Sequence, residues 1–299
     1  MGGGIPDYLK WLPADLTAVV SRCEFFGRTM KAGFISGRHR SPKKGNSVEF
    51  AEHRQYMPGD DLRTLDWKVL GRKDKYYIRQ YEEESNLRAT ILLDCSGSMA
   101  YAQKFDYARY LTAALAHLLT GQQDGVGLVT FDTKVRDYLP VRSSAGHLRH
   151  ILETIDKLTP GGETDPAPVV NDIAERIPAR GLVILISDLF TEDADALLKS
   201  LYHFGYRKHE LVVLHVMDDH ELTFDFDGNV RFENLEGSDE ILLDAKAIRA
   251  SYLAEMNAFL KKVGDGVLKT GADYVPMNTK VPYEQALVAY LARRRSGGI

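Results

Sequence analysis

The apolar positions of the chain follow two patterns in turn, short unbroken runs and longer stretches with helical spacing. Short runs rich in Val, Ile and Leu are typical of strands that are buried on both faces. They lie at 90–94, 125–132, 182–188, 211–217 and 272–276. Helical spacing marks 105–120, 147–158, 166–177, 193–204, 245–263 and 282–295. This alternation predicts an α/β domain with a mostly parallel central sheet and helices on both faces.

Two segments depart from the alternation. Residues 134–139 form a short strand-like stretch directly after the run at 125–132, which predicts an antiparallel edge strand. Residues 222–233 alternate apolar and polar side chains around Asp227-Gly228, a dipeptide typical of hairpin turns. We therefore expect a hairpin insertion near 222–233.

The first part of the chain has a different character. We expect residues 1–87 to form an N-terminal extension and residues 88–295 to form the main domain. The extension contains helical periodicity and then a basic, turn-rich loop at 36–47. The sequence leaves this loop open between a solvated surface loop and a contact for phosphate or an acidic partner. A charged segment with the turn Pro58-Gly59 follows, and Asp60 or Asp61 can cap a short helix after it.

Composition narrows the class of protein. The chain has 299 residues, of which 44% are hydrophobic and 27% charged, as in an ordinary globular protein. Its net charge of -4 gives no reason to expect nucleic acid as a partner. It has no apolar run long enough for a transmembrane helix and no basic-then-apolar signal peptide at the start. The two cysteines suggest no disulfide framework. We therefore expect a cytoplasmic protein.

Candidate chemistry lies in three loops, each next to a strand end or a helix start. The first loop reads Asp-Cys-Ser-Gly-Ser after the run at 90–94, and the others contain a threonine and a second aspartate. The carboxyl ends of parallel strands meet at one edge of a sheet, where ligands bind. Serine and aspartate before a helix are also ordinary helix caps. If the three loops share that edge, five oxygen-bearing residues converge: Asp94, Ser96, Ser98, Thr164 and Asp188.

Such a set of hydroxyls and carboxylates suits a hard cation, Mg²⁺ first, with Mn²⁺ or Ca²⁺ as alternatives. Here the chain resembles the von Willebrand factor A family and its metal-ion-dependent adhesion site. That site combines a D-x-S-x-S loop, a threonine from a second loop and an aspartate from a third. The resemblance implies a Rossmann-like, von Willebrand A-type domain in which these five residues hold the metal. It also implies that an acidic side chain of a partner takes an open position on the metal.

A second motif lies in the extension. Residues 54–67 contain R-x-Y-x-P-G-D-D-x-R-x-x-D-W, which looks like the signature of the bacterial domain-of-unknown-function 58 family. The resemblance covers about residues 30 to 292. Proteins of that family join this motif to a von Willebrand A-like domain and are typically encoded beside MoxR-type AAA+ ATPases. The resemblance therefore implies a protein partner, namely such an ATPase or its client, bound through an acidic residue.

Three function classes remain open at this point. The favoured one is a metal-dependent binding module that acts as adaptor or co-chaperone with the ATPase. The second is a scaffold whose metal site is purely structural. The third is a metal-dependent phosphatase-like hydrolase, but such enzymes carry a second aspartate where this chain has Ser96. No G-x-S-x-G elbow surrounds Ser96 and the chain has no P-loop, so we expect no enzyme.

Overall fold

The computed structural model describes residues 7–25, 40–41, 49–55, 69, 76–84, 87–162, 166–233 and 240–296. The chain divides into two compact units. One comprises residues 1–25 together with 88–299, and the other comprises residues 26–87. Residues 1–25, which the sequence assigned to the N-terminal extension, thus belong to the larger unit. The 87/88 boundary expected from the sequence coincides with the start of the larger unit's main segment.

The smaller unit contains three described strands. They are β1 (Arg40–Ser41), β2 (Glu49–Gln55) and β3 (Tyr77–Glu84), and they form an antiparallel sheet with β3 in the middle. The motif residues at 56–67 and most of the basic loop at 36–47 lie outside the described residues. Their roles stay predictions.

The larger unit begins with a 3₁₀ helix at Asp7–Trp11 and a short helix. Its strands are β4 (Arg88–Asp94), β5 (Gly125–Phe131), β6 (Val135–Arg142), β7 (Leu182–Ser187), β8 (Glu210–Met217), β9 (Asn229–Glu233), β10 (Glu240–Asp244) and β11 (Asp273–Asn278). Its helices are α1 (Ala14–Val20), α2 (Lys104–Gly121), α3 (Ala145–Lys157), α4 (Pro166–Arg176), α5 (Ala194–Tyr206), α6 (Asp219–Thr223), α7 (Ala245–Lys269) and α8 (Tyr283–Ser296). No helix in the described part of the chain is long and apolar enough to cross a membrane.

The central sheet of the larger unit has six strands in the order β11-β8-β7-β4-β5-β6. Every neighbouring pair is parallel except β5 and β6, which pair antiparallel. The strand order reverses between β4 and β7, and this is the switch point where doubly wound sheets bind ligands. The predicted fold class, an α/β domain with a mostly parallel central sheet, is therefore confirmed, as is the antiparallel edge strand.

The side chains of each central strand point alternately to the two faces of the sheet, and both sets are apolar. Helices therefore cover both faces. On β4, Leu92 belongs to a core cluster that also contains side chains of α4, α5 and α7. Ile91 and Leu93 are equally buried and point to the opposite face, since successive strand side chains alternate. Helix α2 packs against β4, β5, β7 and β8. A strand buried on both faces needs an unbroken apolar run, which is what the sequence showed.

The hairpin expected at 222–233 was placed wrongly. Residues 219–223 form α6, and the antiparallel pair is instead β9 with β10, so Gly228 (φ 74°) precedes the hairpin rather than turning it. The reason is local. Asp218 and Glu221 form a capping box that starts the helix, and Phe224 ends it in the left-handed conformation. Phe224 then packs in an aromatic cluster with Phe226 and Phe232.

Candidate metal centre

The first loop of the candidate site leaves the carboxyl end of β4 at the switch point. Asp94 is 1% exposed, and its Oδ1 accepts a 2.8 Å hydrogen bond from the backbone N–H of Ser96. The N–H of Cys95 continues the β4–β5 pairing by donating to the carbonyl of Phe131. Burial raises the pKa of the Cys95 thiol to about 12, so its sulfur is a neutral filler and not a thiolate ligand. The loop therefore presents oxygen atoms and no charged sulfur.

The structure brings together four of the five residues proposed from the sequence. The hydroxyl oxygens of Ser96 and Ser98 lie 3.1 Å apart, and Ser98 Oγ donates to Asp188 Oδ1, also at 3.1 Å. Asp188 follows β7, the direct neighbour of β4 in the sheet, and is fully buried. Asp94 joins the group through Ser96, as described above. Two loops distant in sequence thus form one cluster, in which oxygen atoms of Ser96, Ser98 and Asp188 lie in contact and Asp94 is bonded to the backbone of Ser96.

The fifth residue, Thr164, lies outside the described residues, but the loop before it is held against the first loop. The N–H of Gly97 donates to the carbonyl of Gly162, and the N–H of Gly161 donates to the carbonyl of Cys95, both at 3.0 Å. Gly162 adopts a φ of 94°, a conformation that favours glycine. The Gly-Gly pair ends two residues before Thr164 in the sequence. The position of Thr164 at the site remains a prediction.

An arginine outside the proposed set anchors this second loop. Arg136 donates to the carbonyls of Thr159 and Gly161 and also to Asp132 Oδ2, each at 2.6 Å. The other oxygen of Asp132 accepts from the N–H of Lys134 in an Asx turn. Asp132 therefore positions the loop through Arg136 and does not belong to the oxygen cluster.

The sequence did not reveal Ser187, the last residue of β7. Its hydroxyl donates a 2.5 Å hydrogen bond to Asp94 Oδ2 and accepts one from the N–H of Leu189. Both carboxylate oxygens of Asp94 are thereby bonded. The serine directly before the strand-terminal Asp188 was visible in the sequence, but only the pairing of β4 with β7 shows that it faces Asp94.

Two further residues were also missed, Lys104 and Glu221. Lys104 is the first residue of α2 and is fully buried, and its Nζ lies 2.7 Å from Asp188 Oδ2 and 2.7 Å from Glu221 Oε1. Glu221 is in α6, and its second oxygen accepts from the N–H of Asp218. The ring of Phe190 lies 5.0 Å from Nζ. A lysine at the start of an amphipathic helix gave no signal, since such residues are ordinarily solvated.

Burial and the neighbouring charges shift the pKa values of this cluster. Burial, and next the charge of Asp188, raise the pKa of Asp94 to about 6, while the hydrogen bonds from Ser187 and Ser96 oppose the rise. For Lys104, burial lowers the pKa, but the charges of Asp188 and Glu221 outweigh it, and the net shift is upward. The pKa of Glu221 is raised by burial against the opposing effect of Lys104.

A buried histidine, His215, forms a hydrogen bond with the backbone of Asp188. His215 Nε2 lies 2.8 Å from the backbone carbonyl oxygen of Asp188, and Nδ1 lies 2.7 Å from the hydroxyl of Tyr274. Burial lowers the pKa of His215 to about 4, so the ring is neutral at physiological pH. It therefore donates from Nε2 to the carbonyl and adds no charge to the cluster.

The donor atoms fit a small hard cation. An octahedral shell with metal–oxygen distances of about 2.1 Å has neighbouring oxygens about 3.0 Å apart. The Ser96–Ser98 and Ser98–Asp188 oxygen distances, both 3.1 Å, match that spacing. Among the described residues, no group of three or more His, Cys, Asp or Glu side chains is placed to hold a metal. A site here would depend on two carboxylates supplemented by hydroxyls, which favours Mg²⁺ or Mn²⁺ over Zn²⁺.

Comparisons with known proteins add a family. The model of the family described as "Protein of unknown function DUF58" matches residues 52–260, more than half of the chain. The uncharacterized protein Rv1480 of Mycobacterium tuberculosis is 26% identical over 297 residues, covering 95% of this chain and 91% of its own length. The uncharacterized protein YeaD of Bacillus subtilis is 24% identical over 126 residues, covering 40% of this chain and 30% of its own.

Solved structures are also similar. The conserved hypothetical protein BatB from Bacteroides thetaiotaomicron shares 16% identity with a TM-score of 0.43 and covers 70% of this chain and 100% of its own. An aerotolerance-related membrane protein from Bacteroides fragilis shares 15% identity with a TM-score of 0.47, with the same two coverages.

Proposed function

The chain belongs to the DUF58 family, and we propose that its larger unit is a metal-dependent protein-binding module. The observation that supports this most is the hydrogen-bonded set of Asp94, Ser96, Ser98 and Asp188 at the switch point of the sheet. Ligand sites of doubly wound sheets lie at this position. The spacing of the oxygens suits Mg²⁺ or Mn²⁺.

The composition of the site explains why it would bind a partner. Serine hydroxyls are neutral ligands, so two carboxylates at most would offset the charge of a divalent cation. Both oxygens of Asp94 already accept hydrogen bonds, and Asp188 shares one oxygen with Lys104. Such a cation would keep waters in its shell, and a carboxylate from another protein could replace one of them. When bound, the metal supplies a positive charge with an exchangeable position.

The partner we propose is a MoxR-type AAA+ ATPase or its client, with this chain as adaptor or co-chaperone. An aspartate or glutamate of that partner would reach the metal. Ser98 is the more exposed of the two serines of the first loop, and Ser96 is fully buried. An incoming carboxylate would therefore approach over Ser98.

Capture of a MoxR-type AAA+ ATPase by the immobilised chain tests this proposal. We expect binding in Mg²⁺ or Mn²⁺ and loss of binding in a chelator. Ser98→Ala removes one hydroxyl ligand without changing charge and should weaken capture strongly. Ser143→Ala, at an exposed serine away from the site, is the matched control and should bind like wild type. Capture that persists in chelator and in Ser98→Ala and Asp94→Asn would refute a metal bridge.

A further inference from the structure

Lys104 is the feature of the site that a metal-binding loop does not require. Its ammonium group is fully buried and ion-pairs with two carboxylates from different segments, Asp188 in the loop after β7 and Glu221 in helix α6. Both distances are 2.7 Å. A buried ammonium with such partners carries a full positive charge, and it lies beside an oxygen cluster that would hold a divalent cation.

The two oxygens of Asp188 face different neighbours. Oδ1 accepts from Ser98, on the side of the oxygen cluster, whereas Oδ2 accepts from Lys104. A metal at the cluster would therefore take Oδ1 while Lys104 keeps Oδ2. The two cations do not exclude each other by geometry, but they compete for the charge of one carboxylate.

Burial makes this competition energetically important. A buried carboxylate without a cation is costly, and the cost is avoided when an ammonium group is in contact. Lys104 supplies that contact for Asp188 and for Glu221, whose side chain is 12% exposed. The negative charges of these two carboxylates are therefore neutralised by a residue of the same chain. The same ammonium repels a divalent cation through a medium that screens poorly.

We propose that Lys104 acts as an internal cation, which neutralises Asp188 and Glu221 when the site is empty and weakens metal binding when the site is filled. Lys104 is thus a positioning residue that makes the fold independent of the metal. This inference rests on the proposed metal site. Its consequence is that the site gains a metal readily only when an outside carboxylate adds negative charge, which couples metal binding to partner binding.

Glu221 has the opposite effect to Lys104 on the affinity of the site for metal. Its carboxylate offsets part of the charge of Lys104, so it favours the metal although it does not contact the oxygen cluster. A purely structural ion pair would respond in the same way to removal of either member, because each loss leaves a buried charge without its partner. Opposite responses of metal affinity to the two removals are therefore the signature of the proposed role.

The test measures binding of Mn²⁺ alone by calorimetry, and thermal unfolding with and without Mn²⁺, on the full chain. Lys104→Met should bind Mn²⁺ more tightly by on the order of tenfold to a hundredfold. Its unfolding temperature should also depend on Mn²⁺ much more than that of wild type. Glu221→Gln should bind Mn²⁺ more weakly than wild type. Lys261→Met, the same change at an exposed lysine of α7, is the control and should match wild type.

Each outcome decides the role of Lys104. Opposite shifts in the two variants support it, and so does a Lys104→Met protein that folds only with Mn²⁺. Unchanged affinity in Lys104→Met, or weaker binding in both variants, overturns it. If Lys104→Met does not fold in either condition, Glu221→Gln decides, and equal or tighter binding by that variant refutes the role. A wild type without detectable Mn²⁺ binding, beside a Lys104→Met variant that binds, supports the role of Lys104. The metal bridge is refuted separately, by capture of the partner that persists in chelator.

Discussion

Ser187 and Asp94 end neighbouring strands, and the hydroxyl of the serine donates a 2.5 Å hydrogen bond to Oδ2 of the aspartate. The bond joins residues 93 positions apart in the chain, across the point where the strand order reverses. It holds the Asp94 carboxylate in one orientation, with its other oxygen directed at the N–H of Ser96. The first loop of the candidate site thus depends on a residue of β7.

Ser187→Ala should destabilise the protein by about 2 kcal/mol, because a buried carboxylate loses a hydrogen bond and the N–H of Leu189 loses its acceptor. Ser200→Ala is a matched control at another buried serine, whose hydroxyl donates only to a carbonyl within its own helix. Chemical denaturation of the two variants measures the difference. An equal or greater loss in Ser200→Ala would contradict the importance assigned to the Ser187 bond.

Asp188→Asn should cost about 3 kcal/mol of stability in the absence of metal, because it removes one of the two carboxylates that neutralise the buried Lys104. Asp172→Asn breaks an exposed ion pair with Arg176 and should cost no more than about 0.5 kcal/mol. Equilibrium unfolding in chelator compares the two. Similar small losses of stability in both variants would mean that Asp188 is not required to stabilise the buried charge of Lys104.

The raised pKa of Asp94 predicts a dependence of stability on pH. The folded pKa, about 6, exceeds the unfolded value of about 3.8, so the folded protein holds the proton more tightly. The contribution of Asp94 is fully present below about pH 4 and is lost as pH rises through 6, by roughly 3 kcal/mol. Asp94→Asn keeps the shape and cannot ionise, so without metal it should become more stable relative to wild type over that range. A stability difference that is flat with pH would show that Asp94 stays ionised.

His215 contributes in the opposite direction. Its folded pKa of about 4 lies below the unfolded value, about 6.5, so the unfolded state takes up the proton first. This contribution is present above about pH 6.5 and is lost as pH falls toward 4, by roughly 3 kcal/mol. The His215→Asn variant should therefore lose less stability than wild type over that range. An acid-induced loss as large in the variant as in wild type would argue against a neutral His215.

Thr164→Ala tests the residue of the proposed set that lies outside the described part of the chain. If Thr164 is a ligand, its loss should weaken Mn²⁺ binding by about tenfold, the effect of removing one hydrogen-bonded or coordinating oxygen group. Thr154→Ala removes a threonine hydroxyl that bonds only to a carbonyl in its own helix and serves as control. Calorimetric titration gives both affinities. If Thr164→Ala binds Mn²⁺ like the control, the metal set is limited to the first and third loops.

The sequence predicted the helices and strands of the α/β alternation more accurately than the structure of the segment between β8 and α7. The helix expected at 166–177 lies at 166–176, whereas the helix expected at 245–263 extends to Lys269. The extension contains Val267, which is fully buried in the core cluster, and Gly264, where a Cβ would lie only 3.1 Å from the ring of Tyr274. Packing against the core therefore accompanies the extra turns. The hairpin near 222–233 was misplaced because a capping box and an aromatic cluster outweighed the alternation of apolar residues.

By itself, the sequence determined the fold class and four of the residues that meet at the site. An unbroken apolar run ending in an acid is a local pattern, and parallel strands necessarily bring such ends to one edge. The tertiary structure alone decided which strands are neighbours and hence which side chains meet there. Ser187 bonds to Asp94 because β7 lies beside β4, and Lys104 meets Glu221 across 117 residues because α6 follows β8 at the same edge. No spacing in the chain encodes these pairs, since they arise only when separate loops are packed together and buried charges require partners.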